Sequence, residues 1–105
     1  KADQGGQIFL SNTHPGITRG NHYHLRKVER FLVVSGEAEI CLRRIFDDKI
    51  ITFRLSGDQP SYVDMPTLHT HSITNVGTVE LQTLFWTNEI FDPQDSDTFA
   101  EIVKP

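Results

Sequence analysis

Residues 16–36 read GITRGNHYHLRKVERFLVVSG and combine two predicted strands with a specific spacing of polar side chains. Alternate side chains of a strand point to the same face, so His22 and His24 are expected to project together. The chain can turn after His24 and start an antiparallel strand, which would place Glu29 beside the two imidazoles. This segment therefore predicts a β-sheet that carries a cluster of metal-binding side chains.

Short strands with period-2 alternation recur along the whole chain. Ile51, Phe53 and Leu55 share one face of a strand, and residues with turn chemistry, such as Gly, Pro and Asp, separate the apolar runs. About eight regularly spaced strands without a helical period are typical of a sandwich or barrel, whose closure removes exposed edges. The other predicted strands are Gln7–Ser11, Arg19–His24, Arg30–Ser35, Ala38–Phe46, Tyr62–Met65, Thr70–Val76 and Val79–Trp86.

Length and composition limit the class of protein. The 105 residues predict one domain, and no apolar run reaches the roughly 18 to 20 residues that a membrane span needs. A net charge of -4 without a basic stripe argues against a nucleic-acid or anionic-lipid surface. The single cysteine, Cys41, cannot form an internal disulfide, which favours a reducing, cytoplasmic setting. Because the chain starts at Lys1, we expect it to be part of a longer protein.

The residues after Trp86 predict little regular structure. Residues 88–97 are polar and acidic, and they are expected to form an ordered loop or tail. Residues 97–103 are predicted to make one helical turn, with Asp97 as its N-cap.

A second histidine pair lies far along the chain, in residues 66–75, PTLHTHSITN. His71 would complete a set of three histidines and one glutamate. A lone histidine is more often a surface or core residue than a ligand, but four of the five histidines lie in His-x-His pairs. Imidazole and carboxylate suit zinc, manganese, iron, nickel or copper, and zinc is the first expectation. His14, before a proline, is expected to be an ordinary loop residue.

The spacing of these residues resembles the first motif of the cupin superfamily. Gly16, His22, His24, Glu29 and Gly36 match that motif at every defined position. The resemblance implies an RmlC-like jelly-roll β-barrel with a bound metal.

The second cupin motif is matched only in part. Pro66, His71 and Asn75 fit it, but Leu68 replaces its inner glycine and Pro60 its outer glycine. His71 is therefore a weaker expectation as a ligand than the first histidine pair.

The chain is most similar to one branch of that superfamily, the C-terminal cupin domain of CapF-type bifunctional enzymes of capsular-polysaccharide and O-antigen synthesis. The matching segments are residues 14–24, HPGITRGNHYH, 27–33, KVERFLV, 70–77, THSITNVG, and 86–93, WTNEIFDP. The resemblance implies epimerisation of C3 in a UDP-4-keto-6-deoxy-N-acetylhexosamine, on the way to UDP-N-acetyl-L-fucosamine. It also implies a homodimer and an N-terminal short-chain dehydrogenase domain that uses NADPH. No dinucleotide-binding fingerprint occurs in this chain, so that domain is expected outside it.

Four further residues are candidates for the reaction. His69 lies two residues before His71 and is expected to act as base, extra ligand or supporting residue. Lys27 could transfer a proton or bind the pyrophosphate, unless it is an ordinary turn lysine. Arg19 and Arg26 could bind the nucleotide diphosphate through their guanidinium groups. Aromatic residues could stack on the ligand, but in strands they more often belong to the core: Tyr23, Phe85 and Trp86.

Two other classes of function remain open at this point. The domain could be a binding or dimerisation module with a structural metal, since a closed ligand set favours structure and an open position favours catalysis. It could also be a stand-alone metal cupin that isomerises sugars or uses oxygen, because one fold supports many reactions.

Overall fold

The computed structural model describes residues 6–89 and 92–104. Among these residues there is no helix, and hence no helix that could cross a membrane. The all-β prediction is confirmed. The strands of the described residues are β1 (Gln7–Thr13), β2 (Thr18–Tyr23), β3 (Glu29–Ser35), β4 (Glu37–Arg44), β5 (Ile50–Ser56), β6 (Tyr62–Met65), β7 (His69–Asn75), β8 (Leu81–Thr87) and β9 (Phe99–Ala100).

The strands form two sheets that pack face to face as a jelly roll. One sheet has the order β1-β8-β3-β6, and the other has the order β5-β4-β7-β2-β9. Every pairing is antiparallel. Most neighbours within a sheet are distant in sequence, so the topology brings residues from both ends of the chain together.

The core lies between the sheets and follows the period-2 pattern. Phe31 and Val33 of β3 face Ile40 of β4 and Ile73 of β7, and all four are buried. Burial of each such side chain contributes about 1.5–3 kcal/mol. Cys41 is a buried free thiol within β4, inside the strand predicted for residues 38–46.

The predicted strands occur in the structure with ends that differ by at most two residues, and Tyr62–Met65 matches at both ends. The loop prediction for residues 88–97 holds for the part that the structure describes, and residues 90 and 91 lie outside it.

The helical turn predicted for residues 97–103 is wrong. Asp97 has a φ of +51°, and its carboxylate accepts backbone hydrogen bonds from a loop about seventy residues earlier in the chain. The following residues then pair with β2 as β9.

Leu68 replaces the inner glycine of the second cupin motif, but its backbone still adopts a left-handed conformation, which glycine favours. Leu68, in the place of the inner glycine, has a φ of +61°, a left-handed conformation that costs an ordinary residue about 1–2 kcal/mol. Its backbone N–H donates to His24 O at 2.8 Å, and its carbonyl accepts from Ile45 N at 3.0 Å. These two bonds stabilise the turn that leads into β7 and so help to place His71.

Candidate metal centre

Three histidine rings and one carboxylate converge at one end of the jelly roll. The ring centroids of His22 and His24 are 5.2 Å apart, and those of His22 and His71 are 4.7 Å apart. One ligand atom from each ring and one from Glu29 lie within 4.8 Å of one another. The structure therefore brings together the four side chains that the sequence singled out.

The strand geometry explains this convergence. His22 of β2 pairs directly with His71 of β7, next to a register shift between Gly20 and His22. His24 follows the last residue of β2 and keeps the same side, while Tyr23 between them stacks on Phe99 at 5.4 Å. The prediction that alternate residues of this segment share a face is confirmed.

Glu29 is the first residue of β3 and joins the cluster from the opposite sheet. Its Oε1 lies 2.8 Å from His24 Nε2 and 3.1 Å from His71 Nε2. The carboxylate thus links imidazoles from the ends of two strands in the other sheet. This contact is possible only because the two sheets close on each other here.

Backbone carbonyls set the orientation of two of the rings. His24 Nδ1 lies 2.6 Å from Asp97 O, and His71 Nδ1 lies 3.4 Å from His69 O. A carbonyl oxygen only accepts, so each Nδ1 carries the hydrogen and each Nε2 is the nitrogen that faces the cluster. Metal-binding histidines in proteins are commonly held in this way.

At neutral pH, His22 and Glu29 have the protonation states that binding a cation requires. Burial, together with His71 and His24, lowers the pKa of His22 from 6.5 to about 4, so its imidazole is neutral. Burial alone would raise the pKa of Glu29, but the close contacts of its carboxylate with His24 and His71 outweigh it and hold that pKa below its usual range. A neutral imidazole and an ionised carboxylate are the protonation states that metal binding needs.

A divalent cation fits the donor set. His71 Nε2 is buried and makes no hydrogen bond among the described residues, since its 3.1 Å approach to Glu29 Oε1 lacks hydrogen-bond geometry. A buried ring nitrogen without a partner is costly, and a cation would satisfy it. A tetrahedral zinc ion with donors at about 2.0–2.1 Å separates its ligand atoms by about 3.4 Å. The four donors, which lie within 4.8 Å of one another, would therefore move inward by up to about 0.7 Å each on binding it.

An apolar cavity of about 160 Å³ opens directly onto the cluster. Phe9, Phe31 and Phe85 form much of its wall, and the Phe31 and Phe85 rings meet edge to face at 4.5 Å. Arg19 also lines this cavity, and its guanidinium donates to the Ser11 hydroxyl. The cavity therefore combines aromatic walls, the guanidinium of Arg19 and three of the four cluster residues, His22, Glu29 and His71.

The other predicted site residues have different environments. Lys27 is buried and lines a second cavity of about 170 Å³ beside His22, His24 and Glu29. Arg26 lies outside both linings.

Arg26 is bound to acidic partners instead of facing the cavity. Its guanidinium pairs with Glu89 at 2.9 Å and with Asp95 at 3.1 Å. His69 also lies outside both cavity linings, and its Nδ1 lies 2.9 Å from the Thr67 carbonyl. His14 is exposed, 3.7 Å from Glu80, as expected of a loop residue.

Sequence reasoning missed two residues of the centre. Phe9 of β1 lines both cavities, but its alternating apolar strand marks it only as a strand residue. Asp97 orients His24, but its position predicts a helix cap and no local pattern links it to a histidine far earlier in the chain.

Known proteins with similar sequences and structures agree with this architecture. A family model described as the polysaccharide biosynthesis C-terminal domain matches residues 1–99. A curated protein of Pseudomonas aeruginosa, UDP-2-acetamido-2,6-beta-L-arabino-hexul-4-ose reductase, is 39% identical over 100 residues, which make up 95% of this chain and 27% of that protein. The chain thus spans only about a quarter of that relative.

Solved structures extend this likeness to three dimensions. The capsular polysaccharide assembling protein CapF from Staphylococcus aureus matches with a TM-score of 0.92 and 46% identity, covering 97% of this chain and 30% of that one. CapF has also been crystallised with the inhibitor 3-isopropenyl-tropolone, and that structure matches with a TM-score of 0.91. The dTDP-6-deoxy-D-glucose-3,5-epimerase RmlC from Legionella pneumophila shares the fold, with a TM-score of 0.77 at 18% identity over 95% of this chain and 55% of that one.

The cupin jelly roll and the resemblance to the C-terminal domain of CapF-type enzymes are therefore confirmed. The family match covers most of the chain, and the relatives that it resembles are considerably longer. This chain belongs to the polysaccharide biosynthesis C-terminal domain family.

Proposed function

We propose that this chain is a metal-dependent sugar-nucleotide epimerase domain. It would epimerise C3 of a UDP-4-keto-6-deoxy-N-acetylhexosamine during synthesis of UDP-N-acetyl-L-fucosamine for capsule or O-antigen. The observation that carries the proposal is the convergence of His22, His24, Glu29 and His71 beside an apolar cavity that three of them line. The names of the P. aeruginosa relative and of CapF support a nucleotide-sugar substrate and a role in capsule assembly.

The proposed ligands of the metal are His22, His24, Glu29 and His71, with zinc as the first candidate and manganese, iron or nickel as the others. The buried, unpaired Nε2 of His71 supports this assignment.

The reaction would need a proton removed from C3 and returned to the opposite face. A divalent cation in the cluster would supply a Lewis acid for the C4 carbonyl oxygen and its enolate. Phe9, Phe31 and Phe85 would exclude water from the reacting carbons. Arg19, at the same cavity, would bind a diphosphate oxygen through its guanidinium.

Lys27 is the acid–base residue that the geometry favours. It is buried and lines a cavity together with three of the four proposed ligands. His69 and Arg26, the other sequence candidates, lie outside both linings and are therefore weaker candidates for proton transfer and diphosphate binding. Lys27→Met is expected to slow epimerisation while leaving zinc affinity close to that of the wild type.

We further propose that the whole protein carries an N-terminal reductase domain that uses NADPH, forms a homodimer and works in the cytoplasm. The chain spans 27% of its reductase relative and 30% of CapF, which leaves room for such a domain. On this proposal residues 1–105 act as the epimerase unit, and reduction takes place elsewhere in the longer protein.

The decisive experiment follows deuterium at C3. The chain, loaded with zinc, is incubated with a UDP-4-keto-6-deoxy-N-acetylhexosamine in deuterated water, and the sugar is analysed by mass spectrometry and NMR. Incorporation at C3 is expected for the wild type and for His14→Asn, and it should be lost in Glu29→Gln. Absence of incorporation by the metal-loaded wild type would refute the epimerase assignment.

A structural role of the metal is the second candidate, and the number of protein ligands favours it. Four protein ligands complete a tetrahedral zinc site, as in structural sites, whereas a six-coordinate ion would leave two positions free. Chelation separates the two roles. If removal of the metal abolishes C3 exchange while the far-UV circular dichroism spectrum stays native, the structural role fails; if the chain unfolds, the catalytic role loses its support.

A further inference from the structure

The segment from Asp97 to Val103, here called the C-terminal strap, contacts the immediate surroundings of each of the three clustered histidines. Its strand β9 pairs with β2, so that Ala100 lies opposite His22 and Phe99 opposite Tyr23. The strap is remote in sequence from all of these residues. Its position across the end of β2 therefore depends on tertiary contacts.

Asp97 acts on the loop that joins His24 to Glu29. Its backbone carbonyl accepts a hydrogen bond from His24 Nδ1 at 2.6 Å. Its carboxylate accepts from the backbone N–H groups of Leu25, Arg26 and Lys27 at 3.0, 2.9 and 2.8 Å. One buried residue thus fixes both the orientation of an imidazole and the path of the loop that follows it.

Glu101 and Val103 act on the strands that carry the other two histidines. Glu101 N donates to Asn21 O at 2.9 Å, and Val103 N donates to Asn21 Oδ1 at 3.1 Å. The Glu101 carbonyl accepts from the hydroxyl of Thr70. Asn21 precedes His22 and Thr70 precedes His71, so the strap holds the backbone next to both rings.

Arg43 of β4 anchors the far end of the strap. Its guanidinium donates to Val103 O at 3.0 Å, to Ile102 O at 2.7 Å and to the Glu101 carboxylate at 2.9 Å. Val103 is fully buried beneath this contact. The strap is therefore fixed at both ends and cannot shift without breaking buried hydrogen bonds.

We infer that the C-terminal strap aligns the three histidines for metal binding and that Asp97 is its principal positioning residue. Asp97 adopts a left-handed φ of +51°, a conformation that surrounding contacts must stabilise, and three hydrogen bonds from the loop and one from His24 supply that stabilisation. The inference rests on the proposed metal site, to which it adds residues that touch neither metal nor substrate.

Zinc affinity of the purified chain, measured by competition with a chromophoric chelator, tests the inference. Asp97→Asn keeps the size of the side chain but turns an amide N–H₂ toward a backbone N–H, and Thr70→Val keeps the shape but removes the hydroxyl. Both are expected to weaken zinc binding by about 10-fold to 100-fold, the usual effect of losing a residue that orients a ligand. Asp47→Asn and Thr70→Ser are the matched controls.

Neither control variant removes an interaction between the strap and the strands that carry the histidines, so both should leave zinc affinity unchanged. The Asp47 carboxylate also accepts a backbone hydrogen bond, from Lys49 N at 3.1 Å, but in the turn after β4, and Thr70→Ser retains the hydroxyl. Both are expected to bind zinc within about twofold of the wild type, as surface or conservative changes usually do. If Asp97→Asn and Thr70→Val also bind within that range, the strap does not position the site.

A measurement on the metal-free chain separates this inference from the proposed function. The His24 Nδ1 hydrogen is buried against the backbone carbonyl of Asp97, and the Asp97 carboxylate holds that carbonyl in place through the loop N–H groups. NMR of the imidazole nitrogens should therefore show this hydrogen exchanging slowly in the wild type and faster in Asp97→Asn, which keeps the carbonyl but loses part of its support. A wild type that binds no zinc but shows this difference would refute the metal site while supporting the strap. Equal exchange in both proteins would overturn the strap.

Discussion

Asn75 belongs to the second cupin motif, and its contacts predict that it stabilises the fold and does not bind the metal. It is buried at the end of β7, and its Nδ2 donates to Thr13 O and to Val79 O, each at 2.8 Å. Its Oδ1 accepts from Gly77 N at 2.9 Å. The side chain thus joins the end of β1 to the turn between β7 and β8, and it lies outside the histidine cluster.

The structure sets the size of the effect of Asn75→Asp. The new oxygen would face two carbonyl oxygens at the positions that Nδ2 now occupies. Two hydrogen bonds are lost, that to the buried Thr13 carbonyl at about 1–3 kcal/mol and that to the partly buried Val79 carbonyl at about 0.5–1.5 kcal/mol, which gives a loss of about 1.5–4.5 kcal/mol in the free energy of unfolding. Domains of this size are stable by only about 5–15 kcal/mol, so the variant should lie close to its unfolding threshold.

The assay is urea unfolding at neutral pH with a chelator present, followed by far-UV circular dichroism. Thr83→Val is the matched control, because Thr83 Oγ1 is buried and has no hydrogen-bond partner among the described residues. Its replacement is expected to leave stability unchanged or to raise it by about 1 kcal/mol. The reasoning is refuted if Asn75→Asp loses less than about 1 kcal/mol, or if Thr83→Val loses as much as Asn75→Asp.

Further predictions concern pH and the core. Because the pKa of His22 falls to about 4 on folding, the unfolded metal-free chain binds a proton below about pH 6.5 that the folded chain does not. The urea midpoint should therefore fall between pH 6.5 and pH 4 in the wild type and fall less in His22→Gln; equal slopes would contradict this. Ile40→Ala should cost about 2–5 kcal/mol because Ile40 is fully buried, whereas Val34→Ala, at a 45% exposed position, should cost about 0.5 kcal/mol or less in the same titration. A similar loss in both variants would be inconsistent with the packing.

The sequence predicted the parts of the site that depend on local periodicity. Alternation places His22 and His24 on one face of a strand whatever its partners are, and the short connection to Glu29 limits where the next strand can begin. The motif also identified His71, although Leu68 stands where glycine was expected. The structure shows why the substitution is tolerated, since Leu68 adopts the left-handed conformation that the turn requires.

The parts that depend on tertiary contacts could not be predicted in this way. Asp97 resembles a helix cap in sequence, but its carboxylate binds N–H groups of a loop that precedes it by about seventy residues. In the sequence, Arg26 is a candidate phosphate ligand, but in the structure its guanidinium pairs with Glu89 and Asp95. His69 shares a strand with His71, but strand spacing alone does not determine whether its ring reaches the cavity.

The metal content of the chain tests the central claim most directly. The wild type, His71→Ala and His14→Ala are each loaded with zinc, dialysed and analysed by inductively coupled plasma mass spectrometry. The wild type and His14→Ala, whose altered side chain is exposed, should each retain about one zinc per chain, and His71→Ala should retain little. A wild type without zinc, or a His71→Ala variant that retains as much as the wild type, would contradict the account.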